Sequence, residues 1–261
     1  HRYVINERTD VNGSIITTID KSQFKNLVTK IKSEKFESVA VGFLHSYANS
    51  ENEAILKNFL INELPDVEVS VSSDVCPEIR EYERFTTTVV NAYIKPLMSN
   101  YLKKLDQKLL NSGFNCSMLL MTSGGTLTNI SSACNNPVRL VESGPAGGAI
   151  LATSIAKDMD LSKVISFDMG GPTAKITIIE DQKANKAREF EVDRKARFKK
   201  GSGFPLRIPV IEMVEIGAGG GSIARVNKLD QIITGPDSAG SFPGPACYSN
   251  GGELPTVTDA D

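Results

Sequence analysis

The stretch Val164-Ile-Ser-Phe-Asp-Met-Gly-Gly-Pro-Thr-Ala-Lys-Ile-Thr-Ile-Ile179 decides the fold of this chain of 261 residues. Two apolar runs, 164–167 and 174–179, flank the pair Gly170-Gly171, and this pattern predicts a β-hairpin with a glycine turn. A backbone without Cβ atoms can approach a ligand closely and direct its N–H groups inward. The turn is therefore a candidate phosphate site, and the simplest phosphate-bearing ligand is a nucleotide.

This glycine pair does not fit two common nucleotide motifs. A P-loop needs a following helix and a Lys-Ser/Thr pair, and a Rossmann turn needs the spacing GxGxxG; the sequence has neither. A hairpin turn that cups phosphate is the device of the actin-like ATPases, in which an aspartate at the strand end holds Mg²⁺. Asp168 stands in that place, and Gly170, Gly171 and Thr173 would contact phosphate. The alternative is an ordinary glycine turn that Asp168 caps.

Three further groups of glycines follow predicted strands or open a helix predicted to end near Asp158. The first is Ile216-Gly-Ala-Gly-Gly-Gly-Ser222. Its four glycines cost backbone entropy, and a purely structural turn rarely contains so many. We favour nucleotide contact there over a tight crossing between strands. Anion binding and close packing remain equal alternatives for the other two groups. The candidate nucleotide contacts in the three groups are Gly217, Gly219, Gly220, Gly221, Ser222, Gly124, Gly125, Ser143 and Gly144.

Composition argues against several classes of function. The net charge is −2 and the pI is about 5.9, which argues against a nucleic-acid partner. No apolar run reaches the length of a membrane span, and four scattered cysteines predict reduced thiols in a cytoplasmic protein. Two histidines cannot form a His-rich metal site. We expect His45 to be an ordinary strand-edge residue, and Cys247, which lacks a histidine partner, to be a buried structural thiol.

The first third of the chain has an alternating α/β pattern. Residues 3–19 predict a hairpin with an Asn-Gly turn, and a helix follows to about Ser33. A strand is expected over 39–44. Ser50 and Glu53 predict a capping box that opens the next helix. Another strand is expected over 67–71.

Two later segments have clear patterns. Apolar residues recur at every fourth position from 81 to 110, which predicts a long helix. Pro96 is expected to kink or split this helix, and Gly113 to stop it. Residues 181–204 contain eight Lys or Arg and four acids. We favour a solvated hairpin or loop there over an anion channel.

Motifs along almost the whole chain resemble the hydantoinase A / 5-oxoprolinase family, and they occur in the family's order. The resemblance is to the hydantoinase A domain of an N-methylhydantoinase A-like subunit, and the acetone carboxylase beta subunit is related. The motifs are Arg80-Glu-Tyr-Glu-Arg-Phe-Thr-Thr-Thr-Val-Val-Asn-Ala-Tyr-Ile-Lys-Pro96, Glu142-Ser-Gly-Pro-Ala-Gly-Gly148, Phe167-Asp-Met-Gly-Gly171, Ile216-Gly-Ala-Gly-Gly-Gly-Ser-Ile-Ala224, Gly235-Pro-Asp-Ser-Ala-Gly-Ser-Phe-Pro-Gly-Pro-Ala-Cys-Tyr248 and Pro255-Thr-Val-Thr-Asp259.

The resemblance implies an α/β fold of the actin-like ATPase (ribonuclease H-like) class, with mixed sheets and flanking helices. It implies ATP-dependent hydrolysis of cyclic amides of the hydantoin or 5-oxoproline type, with ATP and Mg²⁺ as cofactors. Asp168 would be the catalytic, metal-positioning residue. The expected partner is a hydantoinase B-type subunit or domain, in an oligomer.

The resemblance also predicts how the chain is divided. We expect an α/β subdomain over 1–80 and a ribonuclease H-like hydantoinase A core with glycine-rich nucleotide loops over 81–261. The family's first phosphate motif would precede residue 1. We therefore expect this chain to be a piece of a longer polypeptide, which alone would lack half of the nucleotide site.

The hairpin departs from the family pattern at one place. The family continues Gly-Gly-Thr-Ser-Thr-Asp-Val, whereas this chain continues Pro172-Thr-Ala-Lys-Ile176. Pro172 removes a backbone N–H, and Lys175 stands where an aspartate is expected. Lys175 would pair with phosphate, or the site is degenerate. The alternatives to cyclic-amide hydrolysis are thus a non-catalytic nucleotide-binding assembly module and, from the related subunits, an ATP-dependent carboxylase of the acetone or acetophenone type.

Overall fold

The structure is a computed structural model that describes residues 1–195 and 201–261. Two compact units make up the chain: His1–Ser143 with Ala187–Val210, and Gly144–Lys186 with Ile211–Asp261. The first unit extends beyond the boundary expected at residue 80, because the helix that begins at Glu81 packs against two strands of the N-terminal segment. The division of the family's domains at residue 80 stays a prediction.

Helices and strands alternate through much of the chain. The strands are β1 Arg8–Thr9, β2 Ile15–Thr17, β3 Ser38–Val41, β4 Glu68–Val71, β5 Leu119–Met121, β6 Leu127–Asn129, β7 Lys163–Met169, β8 Ala174–Glu180, β9 Lys183–Ala184, β10 Lys186–Ala187, β11 Phe190–Val192, β12 Phe204–Leu206, β13 Val210–Ile211, β14 Val214–Ile216, β15 Ser222–Val226 and β16 Ile232–Ser238. The α-helices are α1 Phe24–Ser33, α2 Glu51–Glu63, α3 Ser72–Val75, α4 Glu81–Asn111, α5 Ile130–Asn135 and α6 Ser143–Asp158.

The N-terminal part of the first unit has the predicted hairpin and a parallel strand pair. β1 and β2 pair antiparallel, and Gly13 in their turn has a φ of +86°. β3 and β4 run parallel, with Val39 opposite Val69, so the chain must cross over between them, and α2 makes this crossover. α1 and α2 bury Phe24 and Leu60 with both strands in one apolar core.

Glu53 shows that the predicted capping box is wrong. The Ser50 side chain makes no capping hydrogen bond. Glu53 is fully buried and accepts hydrogen bonds from the Phe43 amide at 2.9 Å, the Ser72 hydroxyl at 2.6 Å and the Ser46 hydroxyl at 2.8 Å. The carboxylate therefore turns away from the helix end and satisfies polar groups inside the unit.

Arg84, also fully buried, faces Glu53 across the same two hydroxyls. Its guanidinium donates to the hydroxyls of Ser46 and Ser72, and to the Phe43 carbonyl at 2.9 Å. Burial lowers the pKa of Arg84, while the charges of Glu53 and Glu81 oppose that shift. The result is a buried pair of opposite charges that two serines bridge.

The long helix α4 runs through Pro96 without being split. The apolar spacing that predicts this helix does not mark its buried face: Tyr93 and Leu97 are 82% and 73% exposed. The buried face carries polar groups that bond to β4. Lys95 donates from Nζ to the Val69 carbonyl at 3.0 Å, and Asn91 donates to the Ser70 hydroxyl at 3.0 Å. As predicted, the helix ends before Gly113, which has a φ of +90°.

The second unit is built on an antiparallel sheet with the order β14-β8-β7, to which β9 adds at β8. β7 and β8 pair in register from Lys163 with Glu180 to Met169 with Ala174, so the hairpin predicted over 164–179 is confirmed. α6 extends to Asp158 as expected. β15 and β16 form a second antiparallel hairpin.

The basic segment 181–204 is only partly described. Residues 181–195 and 201–204 are described; β11 lies in the first range and β12 begins at Phe204, and the two strands pair antiparallel, in line with the favoured interpretation of a hairpin. Arg197, Lys199 and Lys200 lie outside the described residues. Within the described part of the chain, no helix combines the length and apolar character needed to cross a bilayer.

Replacement of Arg84 by Met should lower the free energy of unfolding by about 3–5 kcal/mol, because the Glu53 carboxylate would stay buried without its opposite charge. Urea denaturation followed by circular dichroism measures this loss. Lys57→Met is the matched control, since Lys57 forms a half-exposed pair with Asp74 at 2.6 Å. The control should cost less than about 1 kcal/mol. Equal losses in both variants would contradict the role given to Arg84.

Candidate functional site

The turn between β7 and β8 is the centre of the candidate phosphate site. The Gly170 amide donates to the Thr173 carbonyl at 2.9 Å and closes the turn. Asp168 is exposed near the end of β7, directly opposite Lys175 on β8. The turn thus presents a carboxylate and glycine backbone to solvent, as the sequence predicts.

The loop Gly217–Ser222 folds back onto this turn. The Gly220 amide donates to the Gly170 carbonyl at 2.9 Å, and the Gly221 amide donates to the Gly171 carbonyl at 2.8 Å. The Gly219 amide donates to the Ser222 hydroxyl at 2.9 Å. These three glycine amides therefore have partners inside the protein and are not open donors for a phosphate.

Close approach of the two backbones explains why the loop is rich in glycine. A Cβ on Gly219 would lie 2.4 Å from the Gly171 carbonyl oxygen and 2.6 Å from the Gly170 carbonyl oxygen. A Cβ on Gly221 would lie 2.8 Å from the Ser238 hydroxyl. The loop therefore makes the tight crossing that was the less favoured interpretation. Its contact with a nucleotide stays a prediction.

Two backbone amides at the turn differ from those of the loop. Within the described chain, the amides of Gly171 and Thr173 have no hydrogen-bond partner, and Gly171 is exposed. Pro172, between them, has no N–H to offer. Gly171 and Asp168 are therefore the parts of the predicted site most accessible to an anion and its cation.

Three charged residues form a row across the sheet of the second unit. Asp168 is opposite Lys175, and Lys175 is opposite Glu215 on β14. Residues directly opposite in antiparallel strands share a face of the sheet. The Lys175 Nζ atom lies 3.9 Å from a Glu215 carboxylate oxygen, and its side chain is largely buried. The lysine that stands where the resemblance predicts an aspartate thus lies near Glu215, and Asp168 is its register partner on the other neighbouring strand.

Asp259 joins the last two family motifs of the chain, a role that the sequence analysis did not assign. Its carboxylate accepts from the Cys247 amide at 2.7 Å, the Thr256 amide at 2.7 Å and the Thr256 hydroxyl at 2.9 Å. The Cys247 amide is the main reason that the pKa of Asp259 lies far below its usual range. The capping-box spacing from Thr256 to Asp259 is the signal that could have found it.

Cys247 itself corrects an expectation. The thiol was expected to be buried, but Cys247 is exposed. The backbone amide of Cys247 bonds to Asp259, and this bond fixes the loop without requiring that the thiol be buried. A side-chain hydrogen bond with Asp259 raises the pKa of this thiol.

The remaining candidate residues lie at two other places. Gly124 and Gly125, in the first unit, form the turn between β5 and β6; Gly125 has a φ of +72°, and a Cβ on Gly124 would lie 3.1 Å from Pro209. Ser143 is the first residue of α6, and nothing would meet a Cβ on Gly144. Both glycines of the turn have a structural role, and nucleotide contact at either place stays a prediction.

Comparison with known families agrees with this arrangement of motifs. The hydantoinase/oxoprolinase family matches residues 84–261, and its N-terminal region matches residues 1–64. The mixed α/β organisation and the glycine turns are those expected from the resemblance described for the sequence. The chain belongs to the hydantoinase/oxoprolinase family.

Three relatives match nearly the entire chain. An uncharacterised protein of Methanocaldococcus jannaschii is 43% identical over 100% of this chain, and the chain covers 39% of that protein. The caprolactamase subunit alpha of Pseudomonas jessenii is 32% identical over 100% of the chain, which covers 36% of it. The acetophenone carboxylase gamma subunit of Aromatoleum aromaticum is 28% identical over 98%, with 35% covered. The chain thus spans little more than a third of these relatives.

Two solved structures have the same fold. Nucleotide-free acetone carboxylase aligns with a TM-score of 0.79 at 24% identity, over 98% of this chain and 35% of its own. The ATP-dependent caprolactamase of P. jessenii aligns with a TM-score of 0.75 at 32% identity, over 98% and 36%. The predicted fold class is therefore confirmed.

Replacement of Gly219 by Ala should lower the free energy of unfolding by about 1–3 kcal/mol, because the new Cβ meets backbone carbonyls that cannot move independently. Thermal or chemical denaturation measures this change. Gly171→Ala is the control, since nothing lies within 4 Å of a Cβ there. The control should stay within about 0.5 kcal/mol of the parent. A Gly219→Ala variant as stable as the parent would mean that the loop does not pack as described.

The contribution of Asp259 to stability should depend on pH. Its folded pKa is depressed, so its contribution is complete above the unfolded pKa of about 3.9 and declines as the pH falls below it. Asp259→Asn should therefore lower the melting temperature at neutral pH, and the difference should shrink towards about pH 3. The exposed Asp230→Asn serves as the control. A difference that is constant with pH would contradict this account.

Proposed function

We propose that this chain is the ATP-binding part of a hydrolase that uses ATP to open cyclic amides of the hydantoin or 5-oxoproline type. The observation that carries the proposal is its 32% identity, over the whole chain, with a subunit of caprolactamase, whose name denotes a cyclic amide. The glycine hairpin with Asp168 at its strand end supports the same proposal, because it offers a place for phosphate.

The residues at the turn fit this role in part. The exposed Asp168 carboxylate would hold Mg²⁺, directly or through water, and the free Gly171 amide would donate to phosphate. Gly170 and Thr173 would shape the turn, and the loop Gly217–Ser222 would line the nucleotide while its amides hold the turn in place. Bound ATP would supply the phosphoryl group that makes the amide carbonyl reactive.

Lys175 would take part in the same site through charge. It lies opposite Asp168 and close to Glu215, so its ammonium group partly neutralises the two carboxylates. A positive charge at this place would attract phosphate, but it also competes with Mg²⁺ for Asp168. We therefore expect metal binding to depend strongly on bound nucleotide.

The proposal includes partners and location. Two of the matching relatives, the caprolactamase subunit alpha and the acetophenone carboxylase gamma subunit, are named as subunits. We propose that a hydantoinase B-type subunit or domain completes the enzyme in an oligomer, and that it works in the cytoplasm.

Two other functions have specific support. The 28% identity with an acetophenone carboxylase subunit favours an ATP-dependent carboxylase. The internally bonded amides of Gly219, Gly220 and Gly221, together with Pro172, favour a non-catalytic nucleotide-binding assembly module. ATP use that depends on bicarbonate would identify the first, and tight binding without turnover would identify the second.

Titration calorimetry of Mg-ATP into the full-length protein, alone and with its partner subunit, tests the proposed function. We expect binding that Asp168→Ala weakens at least about tenfold, since the carboxylate nearest the turn is lost. Glu180→Gln, at the far end of β8, is the control and should bind as the parent does. In a separate turnover assay with the partner subunit present, ADP should be released only when a cyclic amide is supplied. Binding that is unaffected by Asp168→Ala would contradict the role of Asp168.

A further inference from the structure

The solvent-facing side of α4 is apolar, whereas the side that packs against the first unit is mostly polar. From Glu81 to Leu102, the exposed positions of this helix carry no charge, and six of its eight buried residues have polar side chains. A surface helix normally has the reverse arrangement, with its apolar stripe toward the core. The exposed apolar residues, which we call the α4 stripe, are Tyr82, Val89, Tyr93, Leu97 and Tyr101.

The α4 stripe is long and continuous. Tyr82, Tyr93 and Leu97 are 64%, 82% and 73% exposed. Residues spaced by three, four or seven positions lie on the same side of a helix, and at 1.5 Å per residue the stripe is about 28 Å long. A contiguous apolar strip marks an interaction surface. Enrichment in tyrosine without charged residues is typical of the core of a protein interface.

The polar contacts of the opposite side fix the orientation of α4. Lys95 donates from Nζ to the Val69 carbonyl at 3.0 Å, and the same atom lies 3.2 Å from a Glu68 carboxylate oxygen. Asn91 donates to the Asn135 carbonyl at 3.1 Å. Rotation of the helix to bury the stripe would break these bonds and leave buried polar groups without partners. The stripe is therefore held toward solvent.

The charge of the exposed side changes after Tyr101. Lys103, Lys104 and Lys108 are all exposed on the last turns of α4. Charges at the rim of an interface favour a partner of opposite sign. A surface that fits this side of α4 is therefore an uncharged apolar ridge with acidic residues at the end that meets the lysines.

The second unit, taken by itself, also has an uncovered apolar face. Ile165 is opposite Ile178, and Phe167 is opposite Ile176, so all four residues share one face of the sheet. Ile165, Phe167 and Ile178 are 70%, 57% and 51% exposed. An antiparallel sheet that has one face in solvent normally carries polar residues there. Each unit thus lacks a cover for one apolar face within the described part of the chain.

We propose that the α4 stripe is an intramolecular docking surface, covered by the part of a longer polypeptide that lies outside residues 1–261. The chain covers 39% of the M. jannaschii relative and 36% of the caprolactamase subunit alpha, so more than half of each relative lies outside the match. A cover of that size would also suffice for the face of the second unit. This docking does not depend on the reaction proposed above.

The size of the stripe favours a segment of the same polypeptide over a separate chain. A strip about 28 Å long and 10 Å wide offers roughly 300 Å², whereas specific complexes between separate chains usually bury about 800 Å² on each partner. A tethered segment binds at a high effective concentration, so a smaller contact is enough to keep it docked.

Site-specific photo-cross-linking identifies the occupant. Tyr93 is replaced by p-benzoylphenylalanine in the full-length protein, purified without its partner subunit, and the products are mapped by mass spectrometry. This substitution keeps an aromatic ring in the stripe. We expect cross-links within one polypeptide to peptides outside residues 1–261, at least about tenfold above those from the same amino acid at Val11. Val11, in the turn between β1 and β2, is 62% exposed and serves as the control.

Each other pattern of cross-links would overturn the proposal. Products that join two copies would assign the stripe to self-association, and products that form only after the partner subunit is added would assign it to that subunit. Products confined to residues 1–261 would show that this chain covers its own stripe. A yield no higher than that from Val11 would show that nothing docks there.

Tyr93→Glu measures the docking without a cross-link. In solvent this change would have little effect, but under an apolar cover it buries an unpaired charge and displaces the covering segment. We expect the rate of limited proteolysis of the full-length protein to rise at least about tenfold, because undocking exposes cleavage sites. Val11→Glu should be cleaved at the rate of the parent. Equal rates in all three proteins would overturn the proposal.

Discussion

Two charges without exposed surface, those of Glu53 and Arg84, face each other across the hydroxyls of Ser46 and Ser72. Neither charge can lose its partner without leaving the other in a medium of low dielectric constant. The pair therefore fixes, at one point, elements that are far apart along the chain: α2, the turn after β3, α3 and α4. Hydrophobic packing alone would not impose this alignment, because it has little directional preference.

The glycine loop of the second unit imposes a similar constraint with backbone only. Gly219 approaches the turn at Gly170 and Gly171 so closely that any side chain would collide with a carbonyl oxygen. Such an approach lets one turn brace another through hydrogen bonds from Gly220 and Gly221. A turn that a second loop braces in this way is already held in shape, which would reduce the entropy lost on binding a ligand such as the phosphate proposed here.

The sequence predicts much of the fold but assigns some residues incorrectly, for identifiable physical reasons. The hairpin at 164–179, the helix over 81–111 and the turn at Gly13 follow from local patterns, and the structure confirms them. Glu53 has the spacing of a capping residue, yet its carboxylate turns toward Arg84, which is distant in the sequence. Local spacing cannot predict such a long-range partner. The apolar stripe of α4 predicts the helix and misleads about its buried face, since Lys95 and Asn91 bond to β4.

The candidate site is less predictable than the fold. Close packing and ligand contact both require glycine, so the composition of 217–222 cannot distinguish them, and only the partners of the amides do. Cys247 is expected to be a buried thiol because the sequence offers it no histidine partner, but it is exposed in a loop whose backbone bonds to Asp259.

The hydrogen bond between Cys247 and Asp259 has a chemical consequence. Alkylating agents and peroxide react with the thiolate form of cysteine, and the carboxylate raises the pKa of this thiol, so less thiolate is present at neutral pH. An exposed cysteine would ordinarily be a point of oxidative damage. Here the same carboxylate that anchors the loop backbone also lowers the reactivity of its surface thiol.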